Sequence, residues 1–272
     1  MLETGVNWDD FLYPYRQAVD ELVLKFKTIR DQKITVGQYS EIEEVHGRVK
    51  KVKSILEKLE KNHYNINDIS TKITDVAGVR IICQFEEDIT KVVSDIMKRN
   101  DMKVVIKKDY LANPKESGYR SVHLIIEYHV NTAFGVKDIL CEIQIRTLAI
   151  NFWATIEHSL NYKYEGDIPK ELSNRLKAAA KKVEELDKEM SAIRDEVMHA
   201  QKVFMASKNA TLMTSQYISY LNKMGYLELG NKYVKIFNKL SEKDDTLQLL
   251  LLEKQLEAEV KKIVKKENKG EQ

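Results

Sequence analysis

The feature that most constrains the fold is a strictly alternating stretch between residues 137 and 147, KDILCEIQIRT. Every second position is apolar: Ile139, Cys141, Ile143 and Ile145. The opposite phase is mostly polar: Leu140, Glu142, Gln144 and Arg146. A period of two predicts a β-strand with one face in the core. The other face then presents an acid, an amide and a guanidinium, which can meet a metal ion, a hydroxyl and a phosphate, although an ordinary half-exposed strand has the same alternation.

The rest of the first two hundred residues predicts helices around a sheet. Helical periodicity appears over residues 7–32, 47–62, 86–100 and 148–164. Strands are predicted at 80–85, 102–108 and 121–130, and the last pairs with the alternating stretch through a turn around 131–135. We therefore predict an α+β fold, with a mixed four- to five-stranded sheet flanked by helices.

The C-terminal part of the chain is predicted to be entirely helical. After a break at 166–169, one long helix runs to about Ala206. Residues 207–272 contain no arginine, twelve lysines and nine acids, and two or three helices fit there, joined at Gly225, Gly230 and 244–245. We predict a first domain over 1–206 and a helical C-terminal extension over 207–272, whose role the sequence does not reveal.

Composition excludes several classes of protein. Charged residues make up 32% of the chain but the net charge is only +2, so no global basic character indicates nucleic-acid binding. Cys83 and Cys141 lie in apolar runs without metal-ligand spacing, as expected of buried thiols in a reducing compartment. No signal peptide is visible, and the longest apolar block, at 247–252, is too short to span a membrane. We expect a cytoplasmic protein without a membrane partner.

Three side chains on the predicted second helix form a candidate phosphate site. Lys50, Ser54 and Lys58 are spaced by four residues and so share one helical stripe, with Arg48 at the start of the helix. Two ammonium groups and a hydroxyl near a helix N-terminus can hold a polyphosphate, although lysine-rich helix faces are often only solvated surface. No GxxxxGK[ST] motif occurs, so a nucleotide would not be held by a P-loop.

The segment KESGYRSVH, residues 115–123, is a second candidate. Gly118 permits a tight turn that leaves Tyr119 at the mouth of the sheet, where its ring can stack on a base or cap the core edge. If the two strands pair, His123 lies near the polar row of the alternating stretch.

Asp75, just ahead of the strand at 80–85, is the third candidate. An aspartate there can be a simple cap. Paired with Glu142, it would complete a two-carboxylate magnesium site, since substrate phosphates and water fill the remaining positions around Mg²⁺.

Taken together, these stretches resemble the synthetase domain of the RelA/SpoT-homologue alarmone synthetases, and especially the small, single-domain RelQ type. The resemblance covers about residues 7–206 and rests on FLYPYRQAVDEL (11–22), GRVKKVKSILEK (47–58), DVAGVR (75–80), ESGYRSVH (116–123), EIQIRT (142–147) and NFWATIEHSLNYKY (151–164). It implies a nucleotidyltransferase-like synthetase fold with long C-terminal helices.

The resemblance also implies the reaction and the role of each residue. The family transfers the β,γ-diphosphate of ATP to the 3′-hydroxyl of GDP, GTP or GMP, giving (p)ppGpp or pGpp and AMP in the stringent response. Carried over, the ATP-binding residues are Arg48, Lys50, Ser54, Lys58, Arg80 and His123. The guanine-nucleotide residues are Tyr119, Lys115, Gln144 and Arg146. Asp75 and Glu142 would hold Mg²⁺, and Glu142 would also act as the base.

Two absences refine this implication. No histidine is followed by aspartate, so the HD-type hydrolase domain of the family is missing and synthesis without degradation is expected. No Asp-x-Asp occurs, which argues against nucleotidyl transfer. A catalytically weak nucleotide- or RNA-binding regulator on the same fold is the alternative, and the sequence does not rank the acceptors.

Members of the RelQ type form homotetramers through their terminal helices around a central cleft. In some members this allosteric cleft binds an alarmone or single-stranded RNA. Lys27 and Asn151 match the family there, whereas Val23 and Glu44 replace its lysine and phenylalanine. The sequence does not separate a tetramer from a dimer.

Overall fold

A computed structural model describes residues 6–164, 168–242 and 245–270. The strands are β1 (Glu44–Val49), β2 (Ala77–Cys83), β3 (Lys103–Asp109), β4 (Val122–Thr132) and β5 (Gly135–Thr147). The helices are α1 (Trp8–Thr35), α2 (Val52–Lys61), α3 (Ile69–Lys72), α4 (Glu86–Met97), α5 (Leu148–Lys163), α6 (Lys170–Lys223), α7 (Leu227–Glu242) and α8 (Thr246–Gly270).

The five strands form one mixed sheet in the order β1-β2-β5-β4-β3. Strand β2 runs parallel to β5, and every other neighbouring pair is antiparallel. The alternating stretch is therefore the central strand, and its predicted hairpin with β4 closes at Thr132 and Gly135. Gly135 has φ +101°, a conformation that favours glycine in a tight turn. The predicted α+β architecture is confirmed.

Helix α1 covers the apolar face of the sheet. Its N-terminus is capped by Asn7, whose side chain accepts hydrogen bonds from the backbone N–H groups of Asp9 and Asp10. Its buried stripe is Leu12, Tyr15, Ala18, Val19, Leu22 and Phe26. A Cβ on Gly47 would lie 2.4 Å from Cγ1 of Val19, so only glycine allows β1 to approach this helix so closely. The polar side chains next to Gly47 consequently point to the other face of the sheet.

The helix predicted over residues 47–62 is wrong in its first five residues, because α2 begins at Val52. Residues 44–49 form β1 and pair with β2, so Arg48 lies on a strand and Lys50 precedes α2. The apolar residues are spaced as in a helix, at Val49, Val52, Leu56 and Leu59. Val49 is nevertheless in a strand, because its backbone pairs with β2. The buried residues of α2 itself are Ile55 and Leu59.

The C-terminal helices differ in length from the prediction. Helix α6 continues beyond Ala206 to Lys223 and ends before Gly225, which has φ +84°. Gly230 lies inside α7 and is not a junction, while Gly166 and Asp244 lie outside the described residues. The chain forms two compact units, 1–191 and 192–272, and the division at 206 stays a prediction. The core of the second unit comprises Ile218, Leu221, Tyr233, Leu252, Leu256 and Ile263.

Two further predictions concern the cysteines and the membrane. Cys83 and Cys141 are both buried, and burial raises the pKa of each thiol far above its ordinary value. Within the described residues, no helix has the length and apolar character needed to cross a membrane.

Candidate active site

Strand register brings the polar side chains into two rows on the face opposite α1. One row joins His46, Arg80, Gln144 and His123 across four strands. The next row joins Arg48, Gly78, Glu142 and Ile125. Paired residues share a face of the sheet, so the row predicted from β5 alone extends over neighbouring strands.

Two cavities open on these rows. The larger, about 410 Å³, is lined by Arg48, Arg80, Lys115, Ser117, Tyr119, His123, Gln144, Arg146, Ala154, Thr155, Glu157 and His158. The smaller, about 100 Å³, is lined by His46, Gly47, Arg48, Asp75, Gly78, Val79, Arg80, Glu142 and Gln144. The two share Arg48, Arg80 and Gln144, so they form one continuous site.

Asp75 lies between two lysines in the smaller part of this site. Its Oδ2 accepts a hydrogen bond from Nζ of Lys50 at 2.7 Å, and its Oδ1 accepts one from Nζ of Lys58 at 2.8 Å. Burial acts to raise the pKa of Asp75, but the two ammonium groups outweigh it and hold the pKa below its ordinary value. The carboxylate is therefore ionised at neutral pH.

Glu142 is held by its neighbours in the rows. Its Oε1 lies 3.0 Å from Nδ1 of His123, and its Oε2 accepts a hydrogen bond from Nε2 of Gln144 at 2.8 Å. Burial acts to raise the pKa of Glu142, but these two hydrogen bonds lower it below its ordinary value, against a smaller opposing effect of Asp75. An ionised carboxylate only accepts hydrogen bonds, so Nδ1 of His123 carries the proton.

Three arginines give the larger cavity its positive charge. Arg48, Arg80 and Arg146 form no ion pair with any carboxylate among the described residues, and Nε of both Arg80 and Arg146 is buried without a hydrogen-bond partner there. The pKa of Arg146 is lowered to about 10, mainly by burial; Arg80 and Arg48 contribute to the lowering, and Tyr119 opposes it. Cations that lie close together without an ion-paired carboxylate favour the binding of an anion.

The loop before β4 supplies the aromatic side of the site. Nε2 of His123 lies 3.0 Å from the hydroxyl of Tyr119. Nζ of Lys115 lies 5.1 Å from the centre of the Tyr119 ring, a cation–π contact. Gly118 has φ +89°, and a Cβ there would lie 2.7 Å from Cβ of Ala180 on α6. The loop thus depends on glycine for both its conformation and its packing.

We expect Gly118→Ala to lower the free energy of unfolding by about 1–3 kcal/mol, because the added methyl group meets α6 and the positive φ disfavours a Cβ. Gly135→Ala is the matched control, since Gly135 also has positive φ but has no atom within 4 Å of the added Cβ. Urea unfolding of both variants measures the difference. Equal losses in the two variants would contradict the contact with α6.

Helix α5, which lines the larger cavity, is fixed at its start by a buried carboxyl. Oγ1 of Thr147 accepts a hydrogen bond from the backbone N–H of Ile150 and donates one to Oδ2 of Asp187 at 2.7 Å. The pKa of Asp187 is raised to about 6, mainly by burial; Glu86 and Glu87 also raise it, while Thr147 and Arg120 lower it.

The raised pKa gives a pH-dependent stability. Asp187 keeps its proton up to about pH 6 in the folded chain but loses it near pH 4 when unfolded, so its contribution is present at low pH and is lost as the pH rises through 6. We expect Asp187→Asn to stabilise the protein at pH 8 by about 1–2 kcal/mol and to have little effect at pH 4. Chemical unfolding at both pH values measures this, and an equal effect at the two would contradict it.

The structure brings most of the predicted site residues together. Arg48, Lys50, Lys58, Asp75, Arg80, Lys115, Tyr119, His123, Glu142, Gln144 and Arg146 line the cavities or contact residues that do. Ser54 lies on α2 one turn before Lys58 and lines neither cavity. Lys27 on α1 is exposed and Asn151 lies on α5, both outside the two cavities, so the allosteric cleft stays a prediction.

Sequence reasoning missed five polar side chains of the site: Thr155, Glu157 and His158 on α5, Ser117 in the loop before β4 and His46 on β1. No spacing rule marks the three on α5, because only the fold turns this side of the helix towards the arginines. The quoted stretch 151–164 contained three of them without any role assigned.

The donor set fits a magnesium ion that is shared with a substrate. Asp75 and Glu142 line the same small cavity, and the negative charge of Asp75 acts to raise the pKa of Glu142. Among the described residues, no group of three or more His, Cys, Asp or Glu side chains could hold a metal alone. Mg²⁺ commonly takes one or two carboxylates and completes its shell with phosphates and water.

Comparison with known proteins gives the class to which this fold and site belong. Residues 47–167 match the family described as "Region found in RelA / SpoT proteins". The GTP pyrophosphokinase YjbM of Bacillus subtilis is 51% identical over 205 residues, which cover 75% of this chain and 97% of that protein. A second B. subtilis GTP pyrophosphokinase, YwaC, is 42% identical over 70% of this chain and 92% of its own. The chain belongs to the RelA/SpoT family.

Solved structures place the chain more narrowly within the family. Small alarmone synthetase 1 from B. subtilis, bound to its product pppGpp, aligns with a TM-score of 0.68 and 53% identity over 70% of this chain and 97% of that one. The same synthetase bound to AMPCPP aligns with a TM-score of 0.63 and 48% identity, over 71% and 98% of the two chains. The fold is that of the small, single-domain alarmone synthetases.

Proposed function

We propose that this chain is a GTP diphosphokinase that transfers the β,γ-diphosphate of ATP to the 3′-hydroxyl of GDP, GTP or GMP. The observation that carries the proposal is the continuous site in which two ionised carboxylates, two lysines and three arginines meet on one face of the sheet. Diphosphate transfer needs mainly positioning and neutralisation of charge, which such a set of groups supplies. Structural relatives bound to pppGpp and to AMPCPP support nucleotides as substrates.

In this proposal the two ends of the site hold the two substrates. Arg48 and Arg80, which line both cavities, sandwich the adenine, while Lys50 and Lys58 bind the phosphates of ATP. Tyr119 stacks on the guanine, and Lys115, Gln144 and Arg146 contact the acceptor nucleotide. The arginines without carboxylate partners suit anionic substrates, because a bound phosphate supplies the missing counter-charge.

The bond changes follow from this placement. The 3′-oxygen of the acceptor forms a bond to the β-phosphorus of ATP, the bond between the α,β-bridging oxygen and that phosphorus breaks, and AMP leaves. Glu142 accepts the proton of the hydroxyl, and His123 and Gln144 keep its carboxylate oriented. Asp75 and Glu142 would hold Mg²⁺, which neutralises phosphate charge when bound. Because no histidine is followed by aspartate in the sequence, we propose synthesis only.

Incubation with ATP, Mg²⁺ and each acceptor in turn tests the proposal. Chromatography should show AMP and a guanosine product carrying two additional phosphates. Free pyrophosphate with a nucleotidylated product would indicate a nucleotidyltransferase instead. Tight, steeply salt-dependent RNA binding without any alarmone would indicate a regulator with vestigial catalysis.

We also propose a cytoplasmic homotetramer assembled through the terminal helices. Exposed apolar side chains on α6 follow a helical spacing at Ile193, Val197 and Phe204, with 43%, 58% and 65% of their surface accessible. Such a stripe is typical of helices that pack against another chain. Single-stranded RNA remains a proposed partner for the cleft of that assembly.

A further inference from the structure

Both oxygens of the Asp75 carboxylate are occupied by ammonium groups. Lys50 and Lys58 approach from different segments, at 2.7 and 2.8 Å, and each takes one oxygen. The side chains of Asp75 and Lys50 are 17% and 16% exposed, so their contact is largely shielded from water, whereas Lys58 is 35% exposed and its contact is partly screened. This cluster carries one net positive charge, which repels a divalent cation.

Both oxygens of the Glu142 carboxylate also have hydrogen-bond partners. One of its oxygens faces Nδ1 of His123 and the other accepts from Gln144. All four oxygens of the two carboxylates therefore have a hydrogen-bond partner within the protein. Each oxygen keeps a second lone pair, but at Asp75 a cation that uses it must approach two ammonium groups held at 2.7 and 2.8 Å from the same carboxylate.

We infer that Lys50 and Lys58 close the metal position of Asp75 in the unliganded enzyme and that the phosphates of ATP open it. This inference rests on the proposed function, in which the same lysines bind those phosphates. As the ammonium groups turn towards the phosphates, their positive charge moves away from the carboxylate and no longer repels a divalent cation there. The metal then binds together with the nucleotide and only weakly before it, and nucleotide and metal favour each other's binding.

Binding of Mn²⁺ alone to the full chain tests this inference. The electron paramagnetic resonance signal of free Mn²⁺ gives the affinity with no nucleotide present. We expect Lys58→Met to bind Mn²⁺ at least about tenfold more tightly than the original chain, because one neighbouring charge shifts the proton affinity of a carboxylate by that order. Asp75→Asn added to Lys58→Met should remove the gain.

Lys53→Met is the matched control. Lys53 lies on the same helix, is 83% exposed and approaches Glu57 only at 3.9 Å, so the substitution removes the same charge without touching Asp75. We expect the Mn²⁺ affinity of Lys53→Met to stay within about twofold of that of the unsubstituted chain. Lys50→Met provides a second variant should Lys58→Met fail to fold by circular dichroism.

Equal Mn²⁺ affinities for the original chain and for the folded lysine variants would overturn the inference. Because the measurement contains no nucleotide, it is independent of turnover. An alarmone-forming enzyme whose lysine variants gain no Mn²⁺ affinity keeps the proposed function and loses the inference. Gained affinity in a chain that makes no alarmone supports closure of the metal position by the lysines and contradicts only the proposed function.

Discussion

Glu142→Gln is expected to lower the turnover number of alarmone synthesis by about 10²- to 10⁴-fold, the range typical for loss of a general base. The amide cannot take the proton of the 3′-hydroxyl and binds a divalent cation poorly. Its size matches the carboxylate, and its oxygen can still accept the hydrogen bond from His123. Rates of AMP formation, together with the melting temperature, measure the effect.

Glu127→Gln is the control for this substitution. Glu127 lies on β4, outside both cavities, where its carboxylate is 3.6 Å from Nζ of Lys103. The same chemical change there should leave turnover within about twofold, because surface ion pairs contribute little. Full turnover by folded Glu142→Gln would remove Glu142 from the catalytic machinery.

Arg146→Met is expected to stabilise the unliganded protein by about 1–3 kcal/mol while raising the KM for the guanosine acceptor more than tenfold. Arg146 is 3% exposed, and burial together with Arg80 and Arg48 disfavours its charge. A depressed pKa of a cation means that this cost is present at every pH below about 10, so neutral pH shows it in full. Thermal unfolding measures the stability, the rate of AMP formation at varied GDP concentration measures the KM, and the variant should gain little stability from GDP.

Arg120→Met, in contrast, is expected to destabilise the unliganded protein. Both carboxylate oxygens of Glu86 lie within 3.1 Å of Nη2 of Arg120, and Nη1 is 3.3 Å from Glu184. Removing a partnered guanidinium leaves these carboxylates without their cation, and we expect a loss of about 2–4 kcal/mol. A less stable unliganded Arg146→Met would contradict the view that Arg146 is retained for its ligand.

Periodicity predicted the parts of the fold in which one pattern fits one structure. The alternation around Glu142 and the strand pattern at 121–130 predicted the central hairpin, whereas its register, with Thr132 opposite Gly135, is known only from the structure. The prediction of a helix at residues 47–49 was wrong, because their apolar spacing suits a helix as well as a strand. The pairing with β2 that makes them a strand is a long-range contact, which a local pattern does not reveal. The true end of α6 was missed although no glycine or proline occurs between Lys170 and Lys223.

The candidate site, too, could be predicted only in part from the sequence. The residue types and the neighbourhood of His123 and Glu142 followed from strand pairing, while the resemblance supplied the roles. The contacts of Lys50 and Lys58 with a single carboxylate did not follow, because the two lysines come from different local structures that meet only in the folded chain. The contribution of α5 depends on its direction after Thr147, which no local pattern encodes.

Strand β1, which carries Arg48, lies at the edge of the sheet next to the proposed nucleotide pocket. Arg48 belongs to a strand with a single hydrogen-bonded neighbour, whereas Glu142 belongs to a strand bordered on both sides. In the proposed binding mode, a purine held between Arg48 and Arg80 would add a link between β1 and β2 beyond their backbone hydrogen bonds.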